Sequence, residues 1–150
     1  MQFGDIKDYR GVIIVCGSRY YDDSRRMEEA LATVHPEVTI VSGGARGADS
    51  LARLASLERG LFFIEIPARW DYFGAQAGPI RNANMLKVGL TLATTPDKLA
   101  VLAFHENIQN SKGTRDMVFR ALSEDSRIAV INITKQTMRR MSLSGIKGAI

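Results

Sequence analysis

The chemistry-bearing run of this chain is Val41-Ser42-Gly43-Gly44-Ala45-Arg46-Gly47-Ala48-Asp49. It follows an apolar stretch at 38–41 and opens a segment, 48–59, whose small and apolar residues recur at helical spacing. A strand that turns through glycines into a helix start leaves backbone N–H groups without intrahelical partners. The helix dipole makes that point favourable for an anion, most often a phosphate. Within the turn, the Arg46 guanidinium has the chemistry to meet phosphate and the Asp49 carboxylate that to meet ribose hydroxyls. A strand-to-helix turn with no ligand would need the same glycines for its backbone angles. The neighbouring loops therefore decide what the turn is for.

Those loops are polar and glycine-rich wherever an apolar run ends. Gly17-Ser18-Arg19-Tyr20-Tyr21 follows the first run, and Arg69-Trp70-Asp71-Tyr72 follows the third. His105-Glu106-Asn107 and Ser111-Lys112-Gly113-Thr114 follow the fourth. The one tryptophan and three of the four tyrosines fall in these loops, which gathers base-stacking surface and arginines together. Arg81-Asn82, placed at the start of a helical segment, is suited to read a phosphate and a base edge, or simply to begin an exposed helix. Cys16 lies inside an apolar run and reads as a small buried hydrophobe, and His35 as a surface residue before Pro36. His105 is better placed but has no identifiable partner.

The elements that must position these residues follow from periodicity. Runs at 11–16, 38–41, 61–66, 99–104 and 127–131 read as strands. Met27, Leu31 and Val34 mark one helix face, with Asp22, Asp23 and Ser24 available to cap it. Ala48, Leu51, Ala52 and Ala55 mark a second helix that Gly60 is placed to end. Further helices are expected at 80–88 and around Thr114, Met117, Val118 and Ala121, with an irregular segment at 68–79 and a short final helix at 138–141. Strands alternating with helices predict an α/β chain: a single Rossmann-like doubly wound domain over 1–150 with a mainly parallel sheet of about five strands. Residues 1–10 read as an N-terminal extension and 133–150 as a basic C-terminal tail. Ligands of such sheets bind beyond the strands' carboxyl ends, where these loops fall.

Composition bounds the remaining classes. At 45% hydrophobic and 24% charged residues the chain is ordinary for a globular protein, and no apolar run approaches the ~20 residues of a membrane helix. A single cysteine and the absence of zinc-type spacing give no reason to expect a disulfide or a metal, and a cytoplasmic location is expected. The net charge of +4 and pI near 9.5 suit an anionic partner, and Lys135, Arg139, Arg140 and Lys147 follow the last acid, Asp125. One glycine after the first strand does not make a dinucleotide fingerprint, which argues against an ordinary NAD-dependent dehydrogenase. Lys112-Gly113-Thr114 is not a Walker loop, and no Gly-x-Ser-x-Gly elbow occurs.

Taken in order, Cys16-Gly17-Ser18-Arg19, Gly43-Gly44-Ala45-Arg46-Gly47-Ala48-Asp49, Pro67-Ala68-Arg69-Trp70, Ala77-Gly78-Pro79-Ile80-Arg81-Asn82 with Met85, and Ser111-Lys112-Gly113-Thr114 with Asp116-Met117 resemble the YspA-like branch of the SLOG superfamily. That superfamily also holds the LOG phosphoribohydrolases and the SMF/DprA proteins. The resemblance covers roughly residues 12–131 and implies a Rossmann-like domain for nucleotides or molecules derived from them. It implies a ligand site made of Arg19, Gly43, Gly44, Arg46, Gly47, Asp49, Arg81, Asn82, Gly113 and Thr114, to which the loops themselves add Gly17, Ser18, Ser111 and a ring to stack a base, Trp70 or Tyr20. One departure bears on mechanism. LOG enzymes carry a glycine-rich signature ending in a glutamate that assists cleavage between base and ribose phosphate. Here no double glycine precedes Gly113-Thr114, Met117 falls where the glutamate would sit, and Asp116 is one position early. One residue on a helix turns a side chain by ~100°, and a thioether moves no proton.

The expectation is a binding module without a cofactor: a sensor or sequestering protein for an ADP-ribose-like or cyclic-nucleotide-like signal. Two alternatives stand beside it, a nucleotide N-glycosidic hydrolase using Asp116 and a single-stranded nucleic-acid binder. Relatives commonly form homo-oligomers, and Met138 and Met141 are candidates for such an interface.

Overall fold

The structure, a computed structural model, describes residues 3–146. Lys147, counted in the basic tail, lies outside them. The β-branched run Val12–Gly17 forms β1 and pairs with β4, Leu99–Phe104, in parallel register from Val12↔Leu99 to Gly17↔Phe104. Both strands are buried almost throughout, as continuous apolar runs in a sheet covered on both faces must be. Beside β1 lie β2 (Thr39–Ser42) and then β3 (Phe62–Glu65), and beside β4 lie β5 (Ala129–Ile133) and β6 (Met138–Arg140). The order is β3-β2-β1-β4-β5-β6, parallel except for β6.

Helices cover both faces. Met27 and Leu31 of α1 (Ser24–Thr33) and Ala48, Ala52 and Ala55 of α2 (Ala48–Arg59) pack on Ile13, Val15, Ile40, Leu102 and Phe104. On the opposite face α4 (Ala77–Ala93) and α5 (Gly113–Glu124) bring Met85, Leu86, Met117 and Val118 onto Ile14, Val41, Val101 and Ala103. A four-residue helix, α3 (Trp70–Phe73), precedes α4. Local signals place the ends: the Asp23 carboxylate caps α1 by accepting from Arg26 N–H at 3.0 Å, and Gly60, left-handed at φ +67°, ends α2. Among the described residues no helix is long and apolar enough to cross a membrane.

The doubly wound α/β architecture is as read, with six strands where about five were expected. Two local expectations change. The helix expected at 138–141 is the antiparallel edge strand β6, because Thr134 and Thr137 close a turn, with the Thr134 N–H donating to the Thr137 carbonyl at 2.9 Å. Met138 and Met141 consequently pack against the two core faces as partly buried residues, while Arg139 and Arg140 stay exposed on the strand edge, where charge discourages further pairing. The segment at 68–79 is partly helical, and α4 starts at Ala77 rather than 80. Pro79 is tolerated there because N–H groups of a first helical turn have no partner to lose.

Residues 3–10 are tied into the core, since Phe3 and Ile6 are buried. Their anchor is Arg26, itself 5% exposed. Its Nε donates to the Thr134 carbonyl at 2.9 Å, its Nη2 to the Thr137 carbonyl at 2.8 Å, and its guanidinium lies 4.9 Å from the Phe3 ring centre. Arg26→Met is therefore expected to cost about 2 kcal/mol, since two carbonyls lose charged donors while the aliphatic packing is kept. Urea unfolding checks this, and a wild-type midpoint would contradict it.

Candidate functional site

From β1 the chain winds to β2 and β3 on one side, and from β4 it continues to β5 on the other. The crevice beyond the carboxyl ends of β1 and β4 is thus the switch point where open α/β sheets bind ligands. It holds a cleft of about 750 Å³, within the range of small-molecule sites. Of the residues singled out from the sequence, Gly17, Ser18, Arg19, Gly43, Gly44, Asp49, Trp70, Arg81, Asn82, Ser111, Gly113, Thr114 and Asp116 line it. Arg46 and Gly47 do not: Arg46 is exposed outside the lining.

Gly47 has a different task. At φ +71° and ψ −122° it occupies backbone space open to glycine, and a Cβ there would collide with the backbone of Ser18 and Arg19. The next residue, Ala48, donates its N–H to the Ser18 carbonyl at 3.0 Å. The glycine turn is thereby clamped against the loop after β1. Gly43 is also a point of close approach, since a Cβ would meet the Arg81 guanidinium.

Arg81 and Asn82 lie in the second turn of α4, not at its start. Arg81 Nη1 donates to the Gly43 carbonyl at 2.8 Å and its Nε to Asn82 Oδ1 at 3.1 Å. The buried Asn82 donates through Nδ2 to the Gly113 carbonyl at 3.1 Å and to Asp116 Oδ2 at 2.9 Å. Arg120 Nε donates to the same oxygen at 2.8 Å. This chain of bonds ties the β2–α2 turn, α4 and the start of α5 into one frame. Met117, by contrast, is fully buried against the core, so Asp116 is the carboxylate that this turn of α5 presents to the cleft.

The unspent charges are positive. Among the described residues, the Arg19 and Lys112 side chains make no hydrogen bond or ion pair, and both line the cleft. Asp49 is nearly buried, and its Oδ2 accepts the Ala45 N–H at 3.0 Å. Burial pushes its carboxyl up, against the opposing pull of the Ala45 N–H, the Ser42 hydroxyl and the Arg81 charge. An acid raised in the folded state takes up a proton more readily there than in the unfolded chain, so its ionisation destabilises the fold as pH rises above about 4. Asp49→Asn is accordingly expected to melt at a higher temperature than wild type at pH 7.5, with the gap closing toward pH 4. A gap that widens toward acid would contradict this.

Burial also drives the Cys16 thiol up, well away from thiolate chemistry, and lowers His105, whose Nδ1 accepts the Asn107 N–H at 2.9 Å. Lys112 and His105 line the cleft beyond the set expected from sequence, and so does Tyr20, the alternative stacking ring. Their shared signal was position: each stands in a loop after β1 or β4.

Residues 11–73 match the family described as YspA, cpYpsA-related SLOG. The chain is 36% identical over 86 residues to the Gene 61 protein of Mycobacterium phage D29, across 51% of this chain and 69% of that one. In fold it is similar to DNA processing protein A (DprA) from Streptococcus pneumoniae, with a TM-score of 0.61 and 21% identity, covering 93% of this chain. It spans 54% of that structure's chain.

Proposed function

This chain belongs to the YspA, cpYpsA-related SLOG family, and from that premise we propose that its cleft binds a nucleotide-derived small molecule, as a sensor or a sequestering protein. The observation that carries the reading is the pair of unspent cations, Arg19 and Lys112, on one cleft at the switch point of the sheet. An anion with sugar and base fits such a site: phosphate oxygens take charge-assisted bonds, and the remaining lining is largely uncharged. Calorimetric titration with ADP-ribose and with cyclic AMP tests it. Saturable one-to-one binding of either supports the reading, and absence of heat with both at millimolar concentration counts against it.

A hydrolytic reading has one observation in its favour: Asp116 lines the cleft with its carboxylate oriented by Asn82 and Arg120. If the protein cleaves a nucleotide N-glycosidic bond through that group, Asp116→Asn is expected to abolish product release while leaving affinity within about twofold, since a neutral amide keeps the shape but cannot take the proton. Product formation undiminished in that variant would remove Asp116 from the reaction. Single-stranded nucleic-acid binding draws on the basic composition and on a fold relative named for DNA processing. It would show a steep fall of affinity with salt. Self-association with a second copy is part of the same proposal, supported by the exposed Leu54, Leu57 and Phe62 on α2 and the edge strand β3, and light scattering reads it.

A further inference from the structure

Helix α3 buries none of its residues, and it displays Trp70, Tyr72 and Phe73 at 56%, 74% and 42% exposure. Two of the three rings are occupied. Tyr72 and Phe73 meet edge to face at 4.7 Å, and the Arg69 guanidinium stands 6.0 Å over Tyr72 while pairing with Asp71 at 3.5 Å. Trp70 alone of them lines the cleft, and among the described residues it makes no ring–ring or cation–π contact. One edge of its ring lies against the start of α4. A Cβ built on Gly78, in the first turn of α4, would sit 3.3 Å from Trp70 Cη2. A glycine is unfavourable in a helix relative to alanine, and here it forms a flat seat for an indole whose remaining surface stays open.

Strand order sets the loops that carry the indole and the charges apart along the sheet edge. Trp70 follows β3 while Arg19 follows β1, two strands away in the sheet, or about 10 Å at ~4.8 Å per strand. That spacing leaves room for a sugar between a ring at one end and phosphate at the other. We propose that Trp70, seated on Gly78, is the stacking platform for a nucleobase, so that the cleft takes a nucleoside phosphate with its base on Trp70 and its phosphate toward Arg19 and Lys112. This rests on the nucleotide reading of the cleft and adds the orientation and the recognition of the base. Stacking accepts any base, because each has a π-face. The choice among bases then falls to hydrogen bonds at the cleft wall.

Trp70 is the only tryptophan of the chain, so its fluorescence reads the contact directly. ADP, GDP, CDP, UDP and ribose 5-phosphate are titrated against wild type, Trp70→Phe, Trp70→Ala and Gly78→Ala, by fluorescence where the indole remains and by calorimetry for all. Saturable quenching is expected from at least one diphosphate, with its affinity about tenfold or more weaker in Trp70→Ala and largely restored by Trp70→Phe. Gly78→Ala, whose methyl group presses on the edge of the indole and tilts it, weakens the same ligand modestly, and ribose 5-phosphate is indifferent to all three changes. A diphosphate that binds without quenching and equally well to Trp70→Ala overturns the platform while leaving the cleft as a nucleotide site. No binding of any of the five, with ADP-ribose and cyclic AMP also failing to bind, overturns the platform and the nucleotide reading together.

Discussion

Gly47→Ala is expected to destabilise the fold by about 3 kcal/mol, the order expected when a residue is forced into glycine-only backbone space against a fixed neighbour. The position carries φ +71°, and its missing Cβ is what lets the β2–α2 turn lie on the Ser18–Arg19 backbone. Neither side can yield freely. The Ser18 loop is held by its own N–H bond to the Phe104 carbonyl at 3.0 Å, and Ala48 is fully buried. The methyl group therefore prises two cleft walls apart as well as straining the turn, and ligand retention falls with stability. A urea midpoint equal to wild type would show that the clamp does not exist.

The second large effect is on binding alone. Arg19→Ala combined with Lys112→Ala is expected to lower affinity for whichever of ADP-ribose or cyclic AMP binds by about a hundredfold or more, because each removes a charged donor of about 1.5–3 kcal/mol. Both side chains are exposed and unpaired in the folded protein, so the melting temperature stays where it was. Arg46→Ala is the matched control: it removes a cation of the glycine turn that stands outside the cleft lining, and affinity is expected to change by less than about twofold. If Arg46→Ala proves the damaging change and the double variant is neutral, the anion sits on the outer face of the turn.

The layout of the sheet was legible because its signals are local and redundant. Val12–Gly17 and Leu99–Phe104 are apolar at every turn of the pleat, which only a strand covered on both faces requires, and Gly60 and Asp23 marked helix ends by their own chemistry. Residues 138–141 were misread for the opposite reason. Met-Arg-Arg-Met has no period long enough to choose between helix and strand, and the choice was made by a partner, β5, and by the Thr134–Thr137 turn. The site was legible as a set of loops but not as a set of roles. Sequence placed a guanidinium at Arg46 and a base-reader at Asn82, yet only the fold shows Asn82 spent on Gly113 and Asp116. Lys112 drew attention only as an interruption of a phosphate motif, and it stands in the cleft with its charge unspent. Whether a polar side chain is free or engaged depends on contacts far along the chain, 38 residues between Arg81 and Gly43 and 111 between Arg26 and Thr137, and no short motif encodes that.

The most direct measurement is to equilibrate the purified protein with a mixed nucleotide-metabolite extract, wash it, denature it, and identify by mass spectrometry what is released, with the Arg19→Ala/Lys112→Ala variant treated in parallel. An intact nucleotide derivative released by wild type and absent from the variant is the predicted result. A release that is the same from both proteins, or that contains no phosphorylated compound, would contradict the assignment of the cleft as a nucleotide site.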